Sequence, residues 1–238
     1  MDNAIYASLT RQSGLMREMR VVANNIANAN TTGFRREGVI FAEHLSALDR
    51  QGGTLSMADA RGRMLDLKQG VLTQTNNNLD LAIEGDGFFM VETPEGVRLT
   101  RAGAFMPGAE GELMNADGNR LLDEGQAPII LPAGAGSVSI GADGTLSSNG
   151  LPFGRIGVVN APEGKTPKHQ GGTLFSVQGE PQPAEDPRVR QGFLEDSNVD
   201  PIMEITRMIE VQRAYELGQS FLDREDQRIR SAITSMTR

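Results

Sequence analysis

The sequence predicts an α+β protein: long N- and C-terminal helices packing as a coiled-coil-like pair, with a central all-β domain of short strands between them. Apolar residues recur at heptad spacing at the start of the chain, and they do so again at its end. In the middle the period drops to two, in short apolar runs separated by turn signals. The boundaries that follow are an N-terminal helix over 1–36, an extended linker over 37–78, a β domain over 79–192 and a C-terminal helix over 193–238.

At the N-terminus, Ile5, Leu9, Gln12, Met16, Met19, Ala23 and Ile26 are spaced 4-3-4-3-4-3, with Leu15 and Val22 as a second line. Asp2 or Asn3 can cap this helix by accepting backbone N–H bonds. Its intrinsic propensity is low. Gly14 costs about 1 kcal/mol relative to alanine, and Asn24, Asn25, Asn28 and Asn30 are poor helix formers. A helix of this kind takes its stability from packing. Ala7, Ser13, Gly14, Ala23 and Ala27 permit close approach of a partner. On the pattern alone, an intramolecular helix pair and an intermolecular coil fit equally well. The asparagines either fray with the helix end or bond across to neighbouring helices. Thr31-Thr32-Gly33 ends the helix, with Gly33 available for a left-handed turn.

Over 37–78, Phe41, Leu45 and Leu48 predict a short helical turn. The polar runs Gln51-Gly52-Gly53 and Thr73 to Asn78 mark the rest as linker or extended arm. From Leu79 the chain alternates, with Leu79, Leu81 and Ile83 on one side. Strand-like runs follow at Phe88–Val91, Val97–Thr100, Leu113-Met114, Arg120–Leu122, Pro128–Leu131, Val138–Ile140 and Ile156–Val159. Gly85-Asp86-Gly87, Pro94-Glu95-Gly96, Asp117-Gly118-Asn119 and Asp143-Gly144 are the turns between them. The proline-rich stretch 160–190 predicts a long loop with one strand around Thr173–Val177. Asp200-Pro201 starts the second helix, with the aspartate as cap and proline at the first helical position. There Met208, Tyr215, Leu222, Ile229 and Met236 recur every seven residues. Gln212, Gln219 and Asp226 occupy the second heptad line, so the partner surface is wider than a two-stranded coil.

The net charge of -8 is unevenly spread. Five arginines against Asp2 and Glu18 leave residues 1–36 at +3, residues 202–238 balance at 0, and the centre carries -11. An acidic centre argues against a nucleic-acid partner, because phosphate contacts need clustered lysine and arginine; the charge keeps an exposed middle soluble. Without cysteine there is no disulfide, thiol nucleophile or thiolate metal site. No apolar run approaches the ~20 residues of a membrane span, so no membrane insertion is expected. The opening MDNAIY does not read as a secretory signal peptide. His44 and His169 lie apart in polar stretches and read as surface residues that make no ligand set. Neither a G-x-S-x-G elbow, an H-E-x-x-H helix, a Walker loop nor a G-x-G-x-x-G motif occurs. Asp117-Gly118-Asn119 lacks the alternate oxygen ligands of a calcium loop. Catalytic residues, metal ligands and cofactors are therefore expected to be none, and the chain is not expected to be an enzyme.

Several runs carry a family resemblance. Ala23-Asn24-Asn25-Ile26-Ala27-Asn28 followed by Thr32-Gly33-Phe34-Arg35-Arg36 resembles the N-terminal signature of the bacterial flagellar rod and hook proteins. Ser197-Asn198-Val199 and Met208 to Glu216 are similar to that family's C-terminal signature. Gln74-Thr75-Asn76-Asn77, Ile83 to Phe89 and Thr100 to Phe105 resemble its shared β-domain motifs. The match spans nearly the whole chain, in order. The opening residues and the length are closest to proximal rod members.

The resemblance implies a structural subunit that leaves the cytoplasm unfolded through the flagellar type III export apparatus. It then polymerises helically, with copies of itself and other rod proteins, into the periplasm-spanning rod of the basal body. The terminal helices form an inner tube and the β domain faces outward. The weak helices fit such a route, since they can stay disordered until assembly. On this reading Ile5, Leu9, Met16, Met19, Ala23, Ile26, Phe34, Met208, Tyr215, Leu222, Ile229 and Met236 are subunit-packing residues. Gly33-Phe34-Arg35-Arg36 marks the exit from the tube. The competing readings are a distal rod subunit, a free-standing β-domain binding module whose helices form a private dimer, and an enzyme using paired carboxylates.

Overall fold

The computed structural model describes residues 2–47, 54–132, 134 and 136–236, with side chains described over 8–40 and from residue 62 onward. A helix, a series of strands and a second helix follow one another, an α+β arrangement. Helix α1 spans Asp2–Ala27 and stops nine residues short of the expected boundary at 36. Past it the Thr31 amide donates to the Asn28 carbonyl at 3.1 Å, and the Thr31 hydroxyl to Asn28 Oδ1 at 3.2 Å. Such local bonds offer the backbone an alternative to the helix ladder. Gly33, at φ +72°, takes the left-handed conformation expected of it.

Strands β1, Glu37–Ala47, and β2, Thr54–Leu65, form an antiparallel hairpin with a register shift between Ile40 and Phe41. It stands in place of the short helical turn expected at 41–48. The extended stretch from Glu37 onward finds a partner strand, which a single apolar turn would not supply. Leu48 and Gln51-Gly52-Gly53 lie outside the described residues, as do the side chains of Ile5, Phe41, His44 and Leu45.

The strands that follow are β3 Leu72–Gln74, β4 Leu81–Ile83, β5 Phe88–Thr93, β6 Gly96–Thr100, β7 Met106–Pro107, β8 Leu113–Met114 and β9 Arg120–Leu121. After them come β10 Val138–Ile140, β11 Thr145–Ser148, β12 Leu151–Arg155, β13 Val158–Asn160, β14 Lys168–Gly171, β15 Leu174–Ser176, β16 Gln182–Pro183, β17 Val189–Gln191 and β18 Phe193–Glu195. The largest sheet runs β14-β15-β6-β5-β9-β8-β7, with β13 on β5 and β16 on β13. Pairs β17-β4 and β18-β3 join distant parts of the sequence, and β10-β11-β12 is a separate meander. Helix α2 spans Pro201–Met236. Asp200 Oδ1 caps it, accepting from the amides of Ile202 and Met203 at 2.9 and 3.2 Å.

Several expectations need correction. Residues 193–195 are strand β18, paired with β3, and the helix begins only at Pro201. The stretch 160–190 carries β14 and β16 besides the expected strand β15, and β17 starts within it. Strands β11 and β12 were not legible in their mixed composition. Pro128 to Leu131 is held by isolated bridges at Pro128 and Ile130, since proline cannot donate to a ladder. Ala82 is as buried as Leu81 and Ile83, so β4 has no polar face. His169 is half-buried, edge-on to Phe34 and Phe175 at 5.4 and 5.3 Å between ring centroids, and is not a plain surface residue.

The chain divides into two compact units. The helical unit comprises Met1–Ala27, Glu37–Asp66 and Asp200–Arg238; the β unit comprises Asn28–Arg36 and Leu67–Val199. In the β unit an apolar core forms around Leu81, Ile83, Phe89, Leu113, Leu121, Leu146 and Ile156. In the helical unit the buried apolar residues among those described are Val21, Val22, Leu65 and Val211.

Candidate assembly site

In the helical unit α1 contacts α2 and both strands of the hairpin. The most buried described side chains of α1 include three polar ones, Gln12, Glu18 and Asn25. Asn25 is fully buried. Its amide donates to the Glu37 carbonyl at 2.8 Å and to Glu204 Oε2 at 3.1 Å, while Oδ1 accepts from the Glu37 amide at 3.0 Å. Glu18 Oε1 accepts from Nε and Nη2 of Arg207 at 2.7 and 2.5 Å. Partial burial works against the Arg207 charge, but the Glu18 and Glu210 carboxylates together outweigh it and raise the pKa. Gln12 Nε2 donates to the Tyr215 carbonyl at 3.0 Å.

The residues proposed from the heptads are distributed around this seam. Met16, Met19, Ile26, Met208, Tyr215, Leu222 and Ile229 are half-buried. Leu9 and Ala23 are exposed, and Met236 is 86% exposed. A second apolar line was missed. Ile202, Ile205 and Ile209 are all exposed and, at 3.6 residues per turn, share one face of α2. Buried Glu204 and Val211 lie on the other side of the helix. Met203, Leu217 and Phe221, further round the helix, are exposed as well. The signal was present as i, i+3, i+7 spacing, offset from the heptad line on which the expectation rested.

The sequence motifs of the β unit meet at a buried cluster of charges. Arg35 Nη1 and Arg101 Nη1 lie 2.6 and 3.0 Å from the two oxygens of Glu195, and all three side chains are almost wholly buried. Glu195 Oε1 also accepts from the Gly70 amide at 3.0 Å. Arg35 donates to the Lys68 carbonyl, and Arg101 to the carbonyls of Ile83 at 3.2 Å and Gly85 at 2.5 Å. The Arg101 guanidinium also stands over the Phe88 ring at 5.4 Å. Burial pulls the Arg101 pKa down to about 10, the Arg35 charge adds to this, and Glu195 opposes it. Thus Thr32 to Arg36, Thr100 to Phe105, Ile83 to Phe89 and the stretch around Glu195 serve one junction. Phe34 is fully buried in the β unit against His169, so its described packing is internal to that unit. Gly103 belongs here too. A Cβ on it would come 1.6 Å from the Leu81 carbonyl oxygen, so only glycine lets the two backbones meet.

A cleft of about 730 Å³ in the β unit is lined by Glu84, Asp86, Glu185, Asp186 and Arg188 among others. Two of these carboxylates are engaged, Glu84 with Arg190 at 3.0 Å and Asp186 with Arg188 at 3.7 Å. Among the described residues no helix is long and apolar enough to cross a membrane.

Three family profiles match the chain in order. They are "Flagella basal body rod protein" over residues 5–35, "Flagellar hook protein FlgE/F/G D1 domain" over 82–148 and "Flagellar basal body rod FlgEFG protein C-terminal" over 190–235. The flagellar basal-body rod protein FlgF of Caulobacter vibrioides is 41% identical over 239 residues, covering 98% of this chain and 97% of that protein. FlgF of Mesorhizobium japonicum is 39% identical over 91% of this chain and 90% of its own length. The rod protein FlgG of Bacillus subtilis is 30% identical over 98% of both chains. Agreement of this length and order means that the chain belongs to the flagellar basal-body rod protein family, whose members are structural and not catalytic.

Proposed function

We propose that the chain is a subunit of the proximal segment of the flagellar rod, part of the drive shaft for flagellum-dependent motility. It polymerises helically through its terminal helices, which pack as a coiled-coil-like pair, and meets copies of itself and other rod proteins. It reaches its site through the flagellar type III export apparatus. The carrying observation is full-length similarity to rod proteins, with FlgF relatives at 41% and 39% identity against 30% for the Bacillus subtilis FlgG. The exposed apolar line Ile202, Ile205 and Ile209 supports the assembly step, because a face of this kind on a long helix asks for cover. Leu9, Met16, Met19, Ala23 and Ile26, with Met208, Tyr215, Leu222, Ile229 and Met236, are the residues proposed to be covered by the partner helix and neighbouring subunits.

Basal bodies isolated from a strain lacking this gene test the reading by microscopy and mass spectrometry. The expected result is a rod that stops before its distal part, without a hook. Loss of the distal segment alone would move the assignment to the distal rod, as the FlgG similarity allows. Complete hook–basal bodies would overturn the rod reading in favour of a free-standing binding module.

A further inference from the structure

The apolar seam of α2 does not by itself fix how the helices pair. Met208, Tyr215, Leu222, Ile229 and Met236 repeat every seven residues, so sliding α2 by one heptad puts one apolar residue where another was. Apolar burial is non-directional and tolerates the slip. Two side-chain contacts do not, and a third, from Gln12 to a main-chain carbonyl, accompanies them without choosing the register. Gln12 to the Tyr215 carbonyl, Glu18 to Arg207 and Asn25 to Glu204 run in opposite order along the two helices, as the rungs of an antiparallel ladder. Gln12, Glu18, Asn25 and Glu204 are all buried. A slip of seven in one direction sets Glu18 opposite Ala214 and Asn25 opposite Val211. In the other direction Glu18 meets Asp200, and Asn25 passes the end of the helix at Pro201. Either slip parts the buried Glu18 carboxylate from Arg207 and the buried Glu204 carboxylate from Asn25.

We propose that Glu18, Asn25, Glu204 and Arg207 are specificity determinants that hold α1 of a chain on α2 of the same chain in one register. The consequence rests on the rod reading. Copies in a rod carry the same polar contacts, so a single register gives every subunit the same helix pair. The exposed line Ile202, Ile205 and Ile209 is left for neighbouring subunits.

The chain has no cysteine, so an engineered pair reports the register cleanly. A Cβ at Gly218 would lie 2.6 Å from Gln12 Nε2 and 3.8 Å from its Cγ, which places the two positions within reach of a disulfide once both are cysteine. The full-length chain carrying Gln12→Cys and Gly218→Cys keeps the other two rungs. On mild oxidation it is expected to form an intrachain disulfide, seen as a faster-migrating monomer that reverts on reduction. Oxidation traps the pair even when it forms only part of the time. Adding Glu18→Arg or Arg207→Glu is expected to slow cross-linking by about tenfold, the worth of one hydrogen-bonded charge contact. Adding both is expected to recover more cross-link than either alone.

The assignment is overturned if the cysteine pair alone forms no intrachain bond or gives interchain dimers instead. It is also overturned if the single charge changes have no effect, or if the double change is no better than the singles. The assay needs no flagellum, so its failure leaves the rod reading standing, and failure of the rod reading leaves the assay intact.

Discussion

The β unit and the helical unit solve the same problem in different ways. The β unit gathers its buried apolar side chains into one core. Phe89, Leu113, Leu121 and Leu146 are fully buried, and the buried Glu195 carboxylate between Arg35 and Arg101 is satisfied from both sides. The helical unit buries polar groups along α1 and leaves Ile202, Ile205, Ile209, Leu217 and Phe221 outside. The first keeps its largest apolar side chains inside, with Val71 and Leu151 among the exposed exceptions. The second has apolar surface still to be covered.

The largest expected effect breaks the β-unit side of the comparison. Glu195→Ala leaves two buried guanidinium groups facing each other, and losing one partner of a buried ion pair costs about 3–5 kcal/mol. Urea unfolding of the full-length chain followed by β-sheet signal should show the loss. Next comes Gly103→Ala, which forces β4 away from the 102–103 backbone. Overpacking of this kind costs about 1–3 kcal/mol, and the same unfolding curve measures it.

A smaller effect follows from Arg101. Its pKa is pulled down to about 10 when folded, whereas an unfolded arginine keeps its proton to higher pH. The unfolded state therefore binds more protons above about pH 10, and there this group adds stability as pH rises. Below pH 9 both states are protonated and nothing changes. The stability of the parent chain minus that of Arg101→Met should be flat from pH 6 to 9 and climb above 10; a slope in the neutral range would contradict the assignment.

The smallest effect on folding belongs to the open side. Leu9 is exposed, so Leu9→Asp should change unfolding of the purified chain by no more than about 0.5 kcal/mol. Swarming of a strain carrying it should nevertheless be lost. Tyr215 is half-buried; Tyr215→Asp is expected to block rod assembly with the β unit still folded, which near-native β-sheet signal in the purified chain would show.

Much of this division could be read before the structure. The Asp200 cap, the left-handed Gly33 and the glycine turns at Gly85, Gly87, Gly96, Gly118 and Gly144 are local chemistry, and local chemistry is legible. The hairpin of β1 and β2 was not, because its register depends on a partner strand and not on its own periodicity. The Arg35–Glu195–Arg101 cluster joins residues far apart in sequence, and each of them reads singly as a surface charge. Glu18, beside the heptad line, looks like a solvent-facing residue until the helix is packed, whereas for Asn25 the cross-helix bond was one of the two readings left open. The expected site lines followed apolar spacing, and such spacing says that a face is buried without saying by which partner.

The most direct test returns to the open face of α2. The gene carrying Ile205→Asp and Ile209→Asp is expressed in the deletion strain, and basal bodies are isolated and imaged. Both positions are exposed, so the purified variant should unfold like the parent. The account predicts rods that stop short and carry no hook. Complete hook–basal bodies containing the variant would contradict it, because the exposed apolar face of α2 would then not be an assembly surface.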